Sequence, residues 1–259
     1  MRHLLLIAIA LVAIITSCQA QETSKKLIWA DEFNKDGLPD SKSWTYEVGY
    51  IRNKEKQYYT EKRLDNVRIE NGHLIIESKK EDYKNFGYTS GSINTFGRVS
   101  FKGDFRIEVR AKLPKGKGIW PAIWMMGTNR SKYGWPKCSE LDIMEFVGKD
   151  PNIVYGTMHW ADSRVNYKHK SKGGKIKITD LHTNFHVYGL ERKGSHIKVF
   201  IDDEFYFEFD VPKTAFEGSF TSPVYLLLNT AVGGSWGGPI DDSIFPQKFV
   251  IDYVRAYKL

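Results

Sequence analysis

The sequence predicts an all-β fold, a jelly-roll β-sandwich of two packed antiparallel sheets, from three observations. Apolar and polar residues alternate with a period near two along several segments, which is the pattern of strands that bury one face. No segment has a sustained helical period with caps, and 14% of the residues are aromatic. Glycine, proline, asparagine and aspartate separate the alternating segments, as expected for short strands joined by turns.

Strand and turn signals follow one another along the chain after residue 26. The clearest alternating segments are HLIIESK (73–79), FRIEVRAKL (105–113), HIKVFIDDEFYFEF (196–209) and FVIDYVRAY (249–257). Turn signals lie at Asn71-Gly72, Lys115–Gly118, Gly173-Gly174, Asp202-Asp203 and Gly233-Gly234. The lysine-rich run YKHKSKGGKIK (167–177) is predicted to be a mobile, solvated loop, and the alternative is a contact with an acidic polymer or an envelope surface. With no internal repeat and no linker, residues 27–259 are predicted to form a single domain.

The N-terminus has the features of an export signal. A charged start precedes twelve apolar residues, Leu4–Ile15, too few for a membrane span of about 20 residues. The segment Ile15–Cys18 resembles a bacterial lipobox. Residues 1–17 are therefore predicted to be a lipoprotein signal peptide, Cys18 the lipidated residue and residues 18–26 a tether. We expect an exported protein anchored at the envelope, on the outer membrane, and the alternative is an ordinary signal that leaves a periplasmic or secreted protein.

Charge and cysteine content exclude two classes of protein. The net charge is +7, and removing a signal that holds one arginine and no acid leaves +6. Lysine and arginine are interleaved with acids along the chain, whereas a nucleic-acid-binding protein usually clusters its basic residues. Only Cys138 remains besides Cys18, so no structural disulfide is expected. We expect a monomer without a nucleic-acid partner.

The stretch SELDIMEFVG (139–148) concentrates three carboxylates, Glu140, Asp142 and Glu145, in apolar sequence. Burying unpaired carboxylates costs several kcal/mol each, so the arrangement calls for an explanation. On a regular strand Glu140 and Asp142 share a face and Glu145 lies on the other. One extra residue near Ile143-Met144, a β-bulge, returns Glu145 to the first face. We expect a bulged strand that lines a cleft on the concave face of the sandwich, with the intervening apolar residues in the core.

Carboxylates in this arrangement suit glycoside hydrolysis. Retaining glycosidases use two carboxyl groups about 5–5.5 Å apart, one as nucleophile and one as acid/base. Asp142, placed between the two glutamates, is expected to tune them, because closely spaced acids do not all ionise together. By themselves the three acids are equally compatible with an accidental acidic edge strand or a divalent-metal site.

Aromatic residues on both sides of the carboxylates favour a sugar-binding cleft. Trp120, Trp124 and Trp135 precede the acidic stretch, and His159 and Trp160 follow it. Aromatic rings stack on the apolar faces of sugar rings. The tryptophans are therefore predicted to line the cleft, and His159 to contact substrate.

The sequence resembles the family 16 glycoside hydrolases of the laminarinase type, endo-β-1,3-glucanases with a bulged E-x-D-x-x-E strand. The matching segments are LIWADEFN (27–34), NKEKQYYT (53–60), GHLIIES (72–78), FRIEVRAKLPKGKGIWPAIWMMG (105–127), WPKCSELDIMEFVG (135–148), GTMHW (156–160), FHVYGLE (185–191), LLLNTAVGGSW (227–236) and FPQKFVIDYVRAY (245–257). The resemblance implies that 27–259 is a catalytic β-sandwich domain, with Glu140 the nucleophile, Glu145 the acid/base and Asp142 the tuning residue. It also implies that no cofactor is needed for catalysis.

The resemblance extends to binding residues outside the acidic stretch. Asn53 and Glu55 match a segment that contacts sugar hydroxyls in such enzymes. Glu32, Gly72 and Asp252 match a structural calcium site, and their oxygen ligands suit Ca²⁺. Ser139 departs from the pattern, because glycine is usual before the nucleophile, and Thr230 replaces a common leucine.

A neutral β-1,3-glucan is the predicted substrate, with other polysaccharides as alternatives. Bulged members of the family also include agarases, porphyranases and κ-carrageenases, so the acids do not decide between a glucan and a marine galactan. No arginine lies between Arg110 and Arg130 or between Arg130 and Arg164, and arginine is the usual partner of anionic sugars. A transglycosylase would use the same acids. A lectin on this fold would not need both glutamates.

Overall fold

The computed structural model describes residues 25–259, so Cys18, the predicted signal peptide and most of the predicted tether lie outside the described residues. The described chain forms seventeen strands: β1 (Lys26–Asp31), β2 (Thr45–Tyr46), β3 (Gln57–Tyr59), β4 (Val67–Glu70), β5 (His73–Tyr83), β6 (Phe86–Ser90), β7 (Ser92–Asn94), β8 (Phe105–Lys112), β9 (Ile119–Gly127), β10 (Glu140–Phe146), β11 (Ile153–Asp162), β12 (Lys168–Lys177), β13 (His186–Lys193), β14 (His196–Ile201), β15 (Glu204–Asp210), β16 (Val224–Val232) and β17 (Gln247–Lys258). Its helices are single turns: α1 (Arg130–Tyr133), α2 (Gly234–Gly237) and two 3₁₀ turns, Ser163–Val165 and Asp242–Ile244. None of these described helices is long and apolar enough to cross a membrane.

The strands form the two predicted sheets. One has ten strands in the order β15-β14-β13-β8-β17-β5-β6-β3, with β1 paired to β17 and β4 paired to β5. The other has seven strands in the order β12-β11-β10-β9-β16-β7-β2. The described pairings are antiparallel except for β3 with β6. The predicted all-β sandwich is confirmed.

The core lies between the sheets and is built mainly from alternate side chains of the central strands. Ile107 and Val109 of β8 pack in one cluster with Leu141 and Ile143 of β10 and with Leu228 of β16. Fully burying such a side chain stabilises the fold by roughly 1.5–3 kcal/mol. The alternate residues of β9 form separate apolar clusters on the other face of the seven-stranded sheet, with Trp120 in one and Trp124 in another. Both faces of this sheet are therefore lined with large side chains near its centre.

The predicted turn at Asp202-Asp203 is confirmed, but the predicted loop at 167–177 is wrong. Asp202 and Asp203 have φ values of 49° and 68° and join β14 to β15, as expected for a two-residue hairpin. The lysine-rich run instead forms β12, an edge strand paired along its whole length with β11. Gly173 and Gly174 lie inside this strand. A Cβ at these positions would approach Gly156 O to 2.7 Å and Phe207 Cβ to 2.8 Å respectively, so both positions require glycine. Glycine here permits close approach of neighbouring strands and does not mark a turn.

Candidate active site

Strand β10 contains the predicted bulge. Against β11, Asp142 lies opposite Thr157 and Glu145 opposite Tyr155, so three steps on β10 match two on its partner. The register against β9 shifts in the same place, between Asp142 and Met144. The bulge brings Glu140, Asp142 and Glu145 to the concave face, and the apolar residues between them, Leu141, Ile143 and Met144, are buried in the core.

A hydrogen bond from the opposite sheet stabilises the bulge, through Tyr206, which the sequence analysis did not identify. Tyr206, on β15 of the opposite sheet, donates its hydroxyl hydrogen to the carbonyl oxygen of Ile143 at 2.9 Å. A Cβ on Gly156 would lie 2.7 Å from this hydroxyl oxygen, so glycine on β11 leaves the room that Tyr206 needs. Burial raises the pKa of Tyr206, and the charges of Glu145 and Asp142 raise it further, which keeps the hydroxyl a donor.

The three carboxyl groups have raised pKa values for a common reason. Burial raises the pKa of Glu140 to about 8, with a further contribution from Asp142, while His159 and Arg52 act in the opposite direction. Burial raises the pKa of Asp142 well above its usual range. The pKa of Glu145 is also well above its usual range, first by burial and then by the charges of Asp142 and Glu140. The cluster therefore retains protons at neutral pH, as an acid catalyst requires.

Two ring nitrogen atoms contact the carboxylates directly. Trp120 donates from Nε1 to Glu145 Oε1 at 3.1 Å. His159 Nε2 lies 3.1 Å from Asp142 Oδ2 and 3.7 Å from Glu140 Oε1. His159 is directly opposite Glu140 in the β10–β11 register, so strand pairing sets the position of the ring.

The carboxylates lie on the floor of a cleft of about 590 Å³. All six predicted sugar-contacting residues line it, namely Asn53, Glu55, Trp120, Trp124, Trp135 and His159. Asn53 and Glu55 come from a loop fixed to the end of β16 and to α2 by backbone hydrogen bonds from Lys56 to Val232 and from Ser235 to Asn53. The fold thus brings together residues about 90 positions apart in the sequence.

Glu55 is a buried acceptor beside the catalytic strand. It is 5% exposed and accepts hydrogen bonds from Gln57 Nε2 at 2.7 Å and from Asn53 Nδ2 at 3.3 Å. Burial raises its pKa, opposed chiefly by the Arg52 charge. The side-chain amides therefore hold the carboxylate at the cleft surface in a fixed orientation.

The tryptophans differ from expectation in how much ring surface they offer. Trp124 is 5% exposed, donates to Asn229 Oδ1 at 2.8 Å, and has the Arg52 guanidinium 5.0 Å from its ring centroid. Trp135 is 47% exposed and is the open aromatic ring of this cleft. Trp160 was expected beside the acids, but it lies in the core, packed on Phe209, because neighbouring residues of a strand face opposite sides.

Arginine lines the cleft, contrary to the inference drawn from its absence near the acidic stretch in sequence. Arg52 and Arg130 both contribute to the lining. Arg52 is ion-paired with Glu47, which accepts a second hydrogen bond from Ser92 at 2.8 Å. Arg52 comes from a segment distant in sequence, and Arg130 from α1 at the end of β9, so the spacing of arginines along the sequence did not predict which of them reach the cleft.

Two groups of residues bear on metal binding. Ligand atoms of Glu140, Asp142 and His159 all lie within 4.8 Å of one another, so geometry alone is compatible with the divalent-metal alternative. Two of the three predicted calcium residues are paired with arginines in the observed arrangement. Arg255 donates to both carboxylate oxygens of Glu32 at 2.8 and 2.9 Å, and Asp252 Oδ2 lies 2.5 Å from Arg110 Nη1. Arginines therefore hold the carboxylate of Glu32 and one carboxylate oxygen of Asp252, and calcium bound through these atoms would have to displace them.

Comparison with known proteins places these observations in a family. The model of glycosyl hydrolases family 16 matches residues 54–255. A β-glucanase of Rhodothermus marinus is 42% identical over 249 residues, covering 90% of this chain and 85% of that protein. The X-ray structure of the laminarinase from Rhodothermus marinus has a TM-score of 0.82 at 40% identity, covering 90% of this chain and 97% of that one. A structure described with endo-acting O-glycanases by which human gut bacteria initiate mucin breakdown has a TM-score of 0.83 at 38% identity, covering 92% of each chain.

Proposed function

The chain belongs to glycosyl hydrolase family 16, and on this premise we propose that it cleaves β-1,3-glucan as a retaining, endo-acting glycoside hydrolase. One observation carries the proposal: a bulge in β10 presents three carboxyl groups on the floor of an open cleft, with Asp142 buried and Glu140 and Glu145 half-buried. Family membership supports a catalytic role for these acids over the accidental edge strand and the metal site. The relatives in this family that are named as glucanases supply the substrate class.

The electrostatics of the site assign the two glutamates different roles. His159 and Arg52 oppose the rise in the pKa of Glu140, so they favour the ionised form that must attack the anomeric carbon. Glu145 lies beside two other acids, which hold its proton for donation to the glycosidic oxygen. After the glycosyl–Glu140 ester forms, Glu145 takes a proton from water, and the hydroxide equivalent releases the sugar with retention. Asp142, between them, holds or releases a proton as its neighbours change charge.

The cleft supplies groups for binding a neutral sugar chain. Trp135 offers an exposed ring for stacking, and the fixed carboxylate of Glu55 with the amide of Asn53 offers acceptors and a donor for hydroxyl groups. A β-1,3-glucan carries no charge, so its cleavage should change little between low and moderate salt.

A second candidate substrate is a galactose-containing glycan, including host O-glycans. Arg52 and Arg130 in the cleft favour the anionic members of this class, because guanidinium groups recognise planar anionic groups through paired donors. The similarity to the O-glycanase structure is as extensive as the similarity to the laminarinase structure. A charged member of the second candidate predicts a different salt dependence from a neutral glucan, since it is bound less well when salt screens the arginines.

The test is reducing-sugar release from a panel of polysaccharides at two salt concentrations. The panel holds laminarin, lichenan, agarose, porphyran, κ-carrageenan and mucin O-glycans. If laminarin is cleaved fastest, to short oligosaccharides and with little effect of salt, the result supports β-1,3-glucan as the substrate. Faster cleavage of a galactose-containing glycan contradicts it and supports the second. Added acceptor oligosaccharide separates hydrolysis from transglycosylation by the appearance of longer products.

Export, anchoring and a monomeric state complete the proposal. Cys18 lies in a lipobox-like segment, which supports lipidation and attachment to the outer membrane. Cys18→Ser should move the protein from the membrane fraction to the soluble fraction without changing its specific activity. Sedimentation of the soluble variant at a single-chain mass would support the monomer. The calcium site stays a prediction, and it would require Arg255 and Arg110 to release their carboxylates; thermal melts in Ca²⁺ and in chelator test it.

A further inference from the structure

His169 adds a second imidazole to the catalytic cluster. It lies on the edge strand β12, opposite Ala161 of β11, and its Nε2 is 2.8 Å from Nδ1 of His159. The two rings are inclined by only 18°, with centroids 5.0 Å apart. At that centroid separation, a 2.8 Å nitrogen–nitrogen distance requires the two atoms to point at each other, as in an in-plane hydrogen bond.

The surrounding charges determine which nitrogen atom carries the shared proton. The other nitrogen of His159, Nε2, faces Asp142 at 3.1 Å and Glu140 at 3.7 Å. A hydrogen on Nε2 is favoured there when either neighbouring carboxyl group is ionised, because Nε2 is the ring nitrogen nearest to both of them. A neutral His159 then has its lone pair on Nδ1, so His169 must be the donor. Burial and the neighbouring His159 lower the pKa of His169, which keeps its ring neutral.

We propose that His169 is a positioning residue that fixes the tautomer and orientation of His159 and, through it, the protonation of Asp142 and Glu140. The inference rests on the glycosidase function proposed above. The charged and titratable groups that share this part of the cleft are Glu140, Asp142 and Glu145 on β10 and the guanidinium groups of Arg52 and Arg130. His159 is the group that connects His169 to the carboxylates.

His169 also supports the sugar-stacking surface, and the two roles can be separated. Its ring lies 4.7 Å from the ring of Trp135. Phenylalanine at 169 retains an aromatic neighbour for Trp135 and removes the donor. Glutamine retains an N–H donor at the position of Nε2 and removes the ring. The pair of variants therefore tests the hydrogen bond and the packing independently.

The experiment compares His169→Phe and His169→Gln in steady-state kinetics across pH, on the panel glycan that the wild-type protein cleaves best. We expect kcat of His169→Phe to fall about tenfold, the effect of one hydrogen bond to a charged cluster, with KM within about twofold and a displaced pH profile. We expect His169→Gln to retain kcat within about threefold and to raise KM, since Trp135 loses its neighbour. Equal losses of kcat in both variants, or an unchanged kcat in His169→Phe, would overturn the proposal.

A second measurement does not depend on the substrate. Imidazole ¹⁵N shifts of the free protein report which nitrogen of His159 is protonated. We expect hydrogen on Nε2 in the wild-type protein and in His169→Gln, and a mixture of tautomers in His169→Phe. An unaltered His159 tautomer in His169→Phe would contradict the inference about His169. Failure of the wild-type protein to cleave any of the glycans would overturn only the proposed function, because the tautomer measurement needs no substrate.

Discussion

Two glutamates of the seven- and ten-stranded sheets have opposite acid–base behaviour. Glu81 on β5 is bound by both Nη atoms of Arg63, at 2.6 and 3.0 Å, and this pairing lowers its pKa to about 2. Glu140 on β10 faces two further acids in the cleft, and burial raises its pKa to about 8. Position in the sandwich therefore sets the acid–base behaviour of a glutamate. A carboxylate paired with arginine stays ionised to low pH, and one that is desolvated beside other acids keeps its proton to higher pH.

The largest expected effect is the loss of activity when a cleft glutamate is removed. Glu140→Ala and Glu145→Ala should each lower kcat by about 10³-fold or more, because a nucleophile or an acid/base is lost. Asp142→Asn should cost less than either, since the residue tunes and does not react. Azide should restore turnover to Glu140→Ala, with inverted configuration in the glycosyl azide. Wild-type activity in Glu140→Ala would show that Glu140 is not the nucleophile.

The raised pKa of Glu140 should make the free energy of unfolding depend on pH. A raised pKa in the folded state means that the stability contribution of Glu140 is complete below its unfolded value of 4.5 and is lost as pH rises towards about 8. Glu140→Gln removes the ionisation, so the variant should exceed the wild-type protein in free energy of unfolding by roughly 1–3 kcal/mol at pH 8. Urea unfolding at pH 4.5 and pH 8 measures the gap. If the stability difference between Glu140→Gln and the wild-type protein narrows as pH rises, the raised pKa of Glu140 is contradicted.

Tyr206 allows the bulge to be weakened without altering an acid. Tyr206→Phe removes the hydrogen bond to the Ile143 carbonyl and leaves the aromatic ring in place. We expect kcat to fall about tenfold, since the loss of one buried hydrogen bond lets Glu145 move relative to Glu140. Tyr188→Phe is the matched control, because its buried hydroxyl has no described hydrogen-bond partner. Equal kinetics in the two variants would show that the hydroxyl of Tyr206 does not hold the bulge.

The smallest effect is expected at Glu81, with the opposite dependence on pH. A lowered pKa means that its contribution is present above 4.5 and is lost as pH falls towards about 2. The side chain is 29% exposed, so solvent screening limits the contribution of the pair to at most about 1 kcal/mol. Glu81→Gln should therefore be slightly less stable than the wild-type protein at pH 7, and the difference should shrink between pH 4.5 and pH 2. A difference that grows on acidification would contradict the pairing.

Sequence alone was sufficient for features that depend on local alternation. The strands, the β14–β15 hairpin and the bulge follow from which neighbouring residues can be buried together, and a one-residue shift of register exchanges the two faces of a strand. The same rule, applied one residue further, would have assigned Trp160 to the core, because His159 faces the cleft. The family resemblance also predicted residues of the cleft that lie far from the acidic stretch, namely Asn53 and Glu55.

The tertiary structure decided what depends on contacts between distant segments. Arg52 covers Trp124, Tyr206 reaches the bulge from the opposite sheet, and His169 binds His159 across a strand pair. None of these side chains has a local pattern that marks it, since each acquires its role from the strand pairing that surrounds it. The lysine-rich run shows the same limit, because its glycines indicate a turn in sequence and permit close strand packing in the fold. Alternation fixes which face of a strand is buried, and only packing determines which residues meet there.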